Sequence, residues 1–136
     1  MCSDARTGQP AVLVVGGAVA GLAAADALAD HAAVTLYERE PYDEKRVNCG
    51  EAINDTSLIP LELTPENGFV NDIDGFQLEI YQGTDRPPGS NPLGTCSLEC
   101  QPGYICDRNV VERQWARRLE ARGVEYKPRS YRRAAE

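Results

Sequence analysis

The sequence predicts an α/β protein: a Rossmann-type half-domain with parallel strands, plus the start of a mostly β region. Three observations predict it. Residues 11–38 read AVLVVGGAVAGLAAADALADHAAVTLYE: an apolar run, a Gly-rich turn, an Ala-rich helical segment and a second apolar run ending in an acid. That acid, Glu38, stands 22 residues after Gly16, close to the ~20 of a dinucleotide-binding βαβ unit. Residues 107–127 then read as a capped amphipathic helix followed by a further strand.

Residues 1–10 form a loose polar lead, and residues 11–15 the first strand. The turn is Gly16-Gly17-Ala18-Val19-Ala20-Gly21. Gly16 makes the tight exit from the strand, where a side chain would clash. Gly21 lets the helix lie close against the strand. Ala18 replaces the middle glycine of G-x-G-x-x-G, and its methyl narrows the approach to phosphate without forbidding it. Backbone N–H groups at the helix N-terminus face a pyrophosphate, aided by the helix dipole. Glu38 can accept hydrogen bonds from ribose hydroxyls. The stretch is therefore expected to hold the ADP half of a dinucleotide. The plainer reading, an Ala/Gly-rich turn with no ligand, leaves the spacing of Glu38 unexplained. A signal peptide is disfavoured by two adjacent glycines within the uncharged stretch. A membrane span is disfavoured because the stretch is Gly/Ala-rich and broken by a turn.

Residues 19–29 form the first helix, with Leu22, Ala25, Leu28 and Ala29 on a recurring face. Residues 33–38 are the second strand, and residues 40–57 read as a loop. Phe76, Leu78 and Ile80 alternate with Gln77, Glu79 and Tyr81, which predicts a half-buried strand. Residues 86–92 are a turn-rich loop, and residues 104–106 a short strand. Asp107 or Asn109 caps a helix to about residue 121, striped by Val110, Val111, Trp115 and Leu119. Gly123 ends it, and residues 124–127 are a third strand. Three stretches result: a βαβ unit over 1–48, a loop and the start of a mostly β region over 49–102, and a closing helix and strand over 103–136.

The 136 residues suit one domain. A net charge of −7 argues against nucleic acid as partner. Lys45 and Lys127 are the only lysines; this Arg bias fits a high-salt cytoplasm or a GC-rich genome. Residues 1–107 carry 5 basic and 17 acidic groups, and residues 108–136 carry 9 and 4. The basic end suits phosphate, an anionic membrane surface or simply solvent. Five cysteines, an odd number, argue against a disulfide framework. Cys96-x3-Cys100-x5-Cys106 lacks the paired spacing of a zinc site, and His31 stands far from it in sequence. No metal is expected.

Three separated motifs now agree. They are the turn over residues 16–21 with Glu38, the loop Arg46-Val47-Asn48-Cys49-Gly50-Glu51-Ala52, and Gly103-Tyr104-Ile105-Cys106-Asp107-Arg108 leading into a helix. Together they resemble the N-terminal third of FAD-dependent oxidoreductases of the geranylgeranyl reductase family, within the glutathione-reductase-like flavoprotein group. The Cys-Gly-Glu-Ala loop is the specific part. The resemblance implies FAD as cofactor and a polyprenyl lipid as substrate, whose C=C bonds are saturated by reduced flavin. It implies that Gly16, Gly17, Ala18, Val19 and Gly21 hold the pyrophosphate. Glu38 would hold the ribose, with Arg39 beside the adenine and Tyr131 and Arg132 bordering it. Arg46, Cys49, Gly50 and Ala52 would approach the flavin, and Arg108 its phosphates or ribityl chain. Cys49 and Glu51 are the candidates nearest the chemistry.

The resemblance also implies a cytoplasmic lipid-biosynthesis protein, with peripheral membrane contact and a C-terminal partner half as further expectations. The family's later Gly-Asp segment has no counterpart in this sequence, so a truncated frame, a split subunit or a fragment is expected. With that segment goes a later strand, which would leave the first strand as an apolar edge and the isolated chain marginally stable. Two other readings stand beside this one: an aromatic-ring or quinone-type monooxygenase, and a nucleotide-binding remnant without catalysis.

Overall fold

The structure is a computed structural model that describes residues 8–45, 51–53, 55–83 and 89–129, the side chains of residues 100–102 excepted. The elements are β1 (Ala11–Val15), α1 (Val19–Leu28), β2 (Ala33–Tyr37), β3 (Ala52–Ile53), β4 (Phe69–Ile80), β5 (Gly94–Cys106), α2 (Arg108–Ala121) and β6 (Glu125–Lys127). A 3-10 turn, Pro65–Asn67, precedes β4.

β1, β2 and β6 form a parallel sheet in that order. Apolar residues of period two on β2 and of period 3.6 on the helices dictate how it is covered. Val34 and Leu36 turn one face of β2 inward, where Leu22 and Ala25 of α1 and Val111, Trp115 and Leu119 of α2 complete the core. The two helices are also tied by polar groups. Trp115 Nε1 donates to Asp26 Oδ2 at 3.1 Å, and the Arg122 guanidinium pairs with Asp26 and Asp30. β1 is an edge: no described strand pairs with its outer side, and Leu13 and Val15 are exposed.

α2 starts where the sequence predicts. The Asp107 carboxylate accepts from the N–H groups of Asn109 (3.0 Å) and Val110 (3.2 Å), capping the helix. Its buried stripe differs from the expected one: Glu112 and Ala116 are buried as well, and Val110 is only partly buried.

β3, β5 and β4 form a second, antiparallel sheet in the order β3-β5-β4. Three expectations change here. The short strand at residues 104–106 is the end of a 13-residue strand. β3 lies inside the segment read as a loop. The alternation of Phe76, Leu78 and Ile80 is real, but these residues are not half-buried under a second layer: they are 56%, 51% and 54% exposed. At its base the ribbon is anchored. Phe69 is buried, meets Tyr104 edge to face with ring centroids 5.7 Å apart, and Gly68 C=O accepts from Asp107 N–H at 2.8 Å.

Candidate functional site

The glycine turn sits where β1 ends and α1 begins. Gly16 adopts φ +100°, and a Cβ there would meet nothing within 4 Å. Glycine is thus required by backbone conformation and not by the clash the sequence suggested. Its N–H donates to Tyr37 C=O at 2.8 Å, fixing the turn to β2. At Gly21 the reason is contact: a Cβ would lie 1.8 Å from Gly16 O. Ala18 is the N-cap of α1 with an ordinary φ of −79°, and no side chain caps the helix. The first turn also lacks an acid, so no side chain of the described residues caps its N–H groups.

Glu38 follows β2 directly and is buried. Its carboxylate is held by four donors. Oε2 accepts from Gly17 N–H at 2.8 Å and Lys45 Nζ at 3.0 Å. Oε1 accepts from Arg39 N–H at 2.6 Å and Glu40 N–H at 3.2 Å. Burial alone would raise the Glu38 carboxyl, but the Glu40 N–H, the Lys45 ammonium and the Gly17 N–H outweigh it and hold it below its ordinary range. The acid that reads as a ribose ligand in the sequence is thus also the clasp of the glycine turn.

Lys45 extends the clasp. Its ammonium lies 2.8 Å from Glu112 Oε2, and Glu112, fully buried, also receives Arg108 Nη2 at 2.5 Å. Asn109 Nδ2 donates to Lys45 C=O at 3.1 Å. Two acids and two bases therefore form one chain, Glu38–Lys45–Glu112–Arg108, joining the end of β2 to the first turn of α2. Such pairing is what allows buried charges to persist. Tyr42 lies against it: its Oη donates to Gly17 C=O at 3.0 Å, and its ring stacks on Tyr126 at 5.4 Å and 17°. Burial and the nearby Glu38 charge push the Tyr126 hydroxyl up to about 12, and burial pushes Tyr42 higher still. A cleft of about 320 Å3 beside this pair is lined by Arg113, Arg117 and Glu120 of α2, and it does not include the glycine turn or Glu38.

The remaining predicted residues divide. Arg39 is exposed and pairs with Glu40 at 3.2 Å. The Arg108 side chain points along its own helix to Glu112. Glu51, at φ +57°, accepts from Arg108 N–H at 3.2 Å, so its carboxylate sits on the N-terminus of α2. Ala52 pairs with Ile105 across the second sheet. Arg46, Cys49, Gly50, Tyr131 and Arg132 lie outside the described residues, as do Cys2 and the Cys100 side chain. Cys96 and Cys106 are ten residues apart along β5. At about 3.3 Å per residue, that is on the order of 30 Å, too far to share one metal. Among the described residues no group of three or more His, Cys, Asp or Glu is placed to hold a metal, and no helix is long and apolar enough to cross a membrane.

The site residues that sequence reasoning missed are Tyr42, Lys45 and Glu112. The Arg108–Glu112 spacing of four was a readable signal, but it reads equally as a solvated pair. Nothing in the sequence places Lys45 against a helix 67 residues away.

No protein-family model matches the chain, and no curated protein sequence matches it. Solved structures do. A geranylgeranyl bacteriochlorophyll reductase-like protein from Thermoplasma acidophilum superposes with a TM-score of 0.64 at 22% identity, covering 90% of this chain and 31% of that one. The tetrameric form of 2-methyl-3-hydroxypyridine-5-carboxylic acid oxygenase gives 0.64 at 18% identity, covering 95% and 34%. CtdE, solved in complex with FAD, gives 0.55 at 19% identity, covering 90% and 30%. These likenesses show the fold, an α/β Rossmann-type half-domain with an antiparallel sheet attached. The chain spans about a third of the length of those solved chains.

Proposed function

We propose that this chain binds the ADP half of FAD and serves as the FAD-binding part of an FAD-dependent oxidoreductase. The observation that carries the reading is the clasp between Gly17 N–H and the Glu38 carboxylate at 2.8 Å. It brings a ribose-binding acid beside a turn whose next element is an uncapped helix N-terminus. The residues present fit the group. Gly16 and Gly21 permit the tight turn, the first-turn N–H groups of α1 would hold the pyrophosphate, and Glu38 would hold the ribose. When bound, FAD supplies the hydride and electron chemistry; the protein's task is to bind and orient it.

Within that class we favour a reductase that saturates polyprenyl C=C bonds. The support is the Cys49-Gly50-Glu51-Ala52 loop and the fold shared with the Thermoplasma protein. A cytoplasmic setting, lipid substrate, peripheral membrane contact and a C-terminal partner half go with this reading. A monooxygenase is the second reading, since the pyridine-carboxylic acid oxygenase superposes with the same TM-score. Trials with a polyprenyl lipid under anaerobic conditions and with an aromatic acid in the presence of dioxygen, both with reduced FAD, separate the two.

Calorimetric titration with FAD, ADP and NADP tests the cofactor. A buried carboxylate repels a 2′-phosphate, so FAD and ADP bind more tightly than NADP. Tighter binding of NADP would contradict the assignment.

A further inference from the structure

The Glu38 carboxylate has about four acceptor positions, and four protein donors already meet it. Three of these donors are backbone N–H groups, of Gly17, Arg39 and Glu40, fixed by the turn and by the chain leaving β2. The fourth, the Lys45 ammonium, stands on a flexible side chain. It also has a second carboxylate in contact, Glu112 Oε2 at 2.8 Å. A ribose hydroxyl that donates to Glu38 must therefore displace something, and Lys45 is the donor that can yield and stay paired.

We propose that Lys45 is a positioning residue that competes with the ribose hydroxyls for Glu38, yielding to them by shifting onto Glu112. This rests on the nucleotide reading of the site and deepens it. Lys45 sets how strongly the site senses the ribose diol. Arg108 pairs with the other Glu112 oxygen, Oε1, which leaves Oε2 to Lys45. The competition is local to the diol. A general electrostatic or structural role of Lys45 would change the affinity of any adenine diphosphate, with or without a diol.

The test compares 5′-ADP with 2′,3′-dideoxy-ADP on the full chain. The readout is the ratio of the two Kd values, dideoxy over ADP, in the wild type and in Lys45→Met, which keeps the aliphatic stem. Removing a charged competitor raises this ratio about tenfold, the scale of one charge-assisted hydrogen bond. Should Lys45→Met not fold by circular dichroism, Lys45→Gln raises the ratio in the same direction. A ratio that stays constant or falls while 5′-ADP still binds overturns the Lys45 proposal alone. If neither wild type nor variant binds 5′-ADP, the nucleotide reading fails, and the proposal with it.

Discussion

In the β1-β2-β6 sheet, alternate residues Val34 and Leu36 are buried beneath two helices; in β4, alternate residues Phe76, Leu78 and Ile80 stand about half exposed. Both stretches carry the same period-two signal. The difference is the second layer. α1 and α2 lay their apolar stripes on one face of the parallel sheet, with Trp115 tied to Asp26 across the helix pair. No described element covers the apolar face of the β4–β5 ribbon. Periodicity tells which side chains share a face, and burial needs a partner that periodicity does not supply. The candidate site residues follow the same division. The clasp around Glu38 is built in the covered half, where fixed geometry holds a charged group in place.

The largest contrast is between two aromatic residues. Trp115→Ala removes a fully buried side chain and its bond to Asp26, and costs about 3–5 kcal/mol. Phe76→Ala on the exposed ribbon face costs within about 0.5 kcal/mol. Urea unfolding of the two variants checks this; equal costs would show that the ribbon face is covered in solution.

Glycines sharpen the comparison next. A Cβ at Gly21 would lie 1.8 Å from Gly16 O, whereas at Gly94 in the ribbon nothing lies within 4 Å. Gly21→Ala therefore destabilises by about 1–3 kcal/mol and weakens ADP binding, while Gly94→Ala leaves both within error. Thermal melts and ADP titrations read the two together.

A smaller effect comes from pH. The folded Glu38 carboxyl titrates below its ordinary value of 4.5. Its stabilisation is full above that value and fades as the pH falls through the lower folded value. Urea midpoints measured from pH 7 to pH 3 should drop at the acid end, and Glu38→Gln should flatten that part of the drop. A variant with the same acid profile as the wild type would show that the clasp contributes nothing to stability.

The parts of this fold that were legible in the sequence are those set by local rules. β1, α1 and β2 follow from an apolar run, a glycine turn and a spacing, and α2 follows from Asp107, its stripe and Gly123. β5 was not legible beyond its last residues because Gly94, Ser97, Pro102 and Gly103 are poor strand formers. Pairing with β4 overrides this at Gly94, Ser97 and Gly103, while Pro102 falls where the register shifts. In the site, Glu38 was legible from its distance to Gly16, but its four donors were not. Three are backbone N–H groups placed by the glycine turn and by the chain leaving β2, and Lys45 is placed by a buried acid on a helix far along the chain. Glu112 itself looks like any charged helix residue until its face is known.

The central claim, that Glu38 holds the ribose of an ADP moiety beside the glycine turn, is tested most directly by one measurement. Calorimetry of 5′-ADP binding to the wild type and to Glu38→Ala compares the site with and without its carboxylate. Loss of a charge-assisted hydrogen bond predicts a cost of roughly 1.5–3 kcal/mol, about ten- to a hundredfold in Kd. An unchanged Kd in a folded Glu38→Ala chain would place the ribose elsewhere and contradict the account.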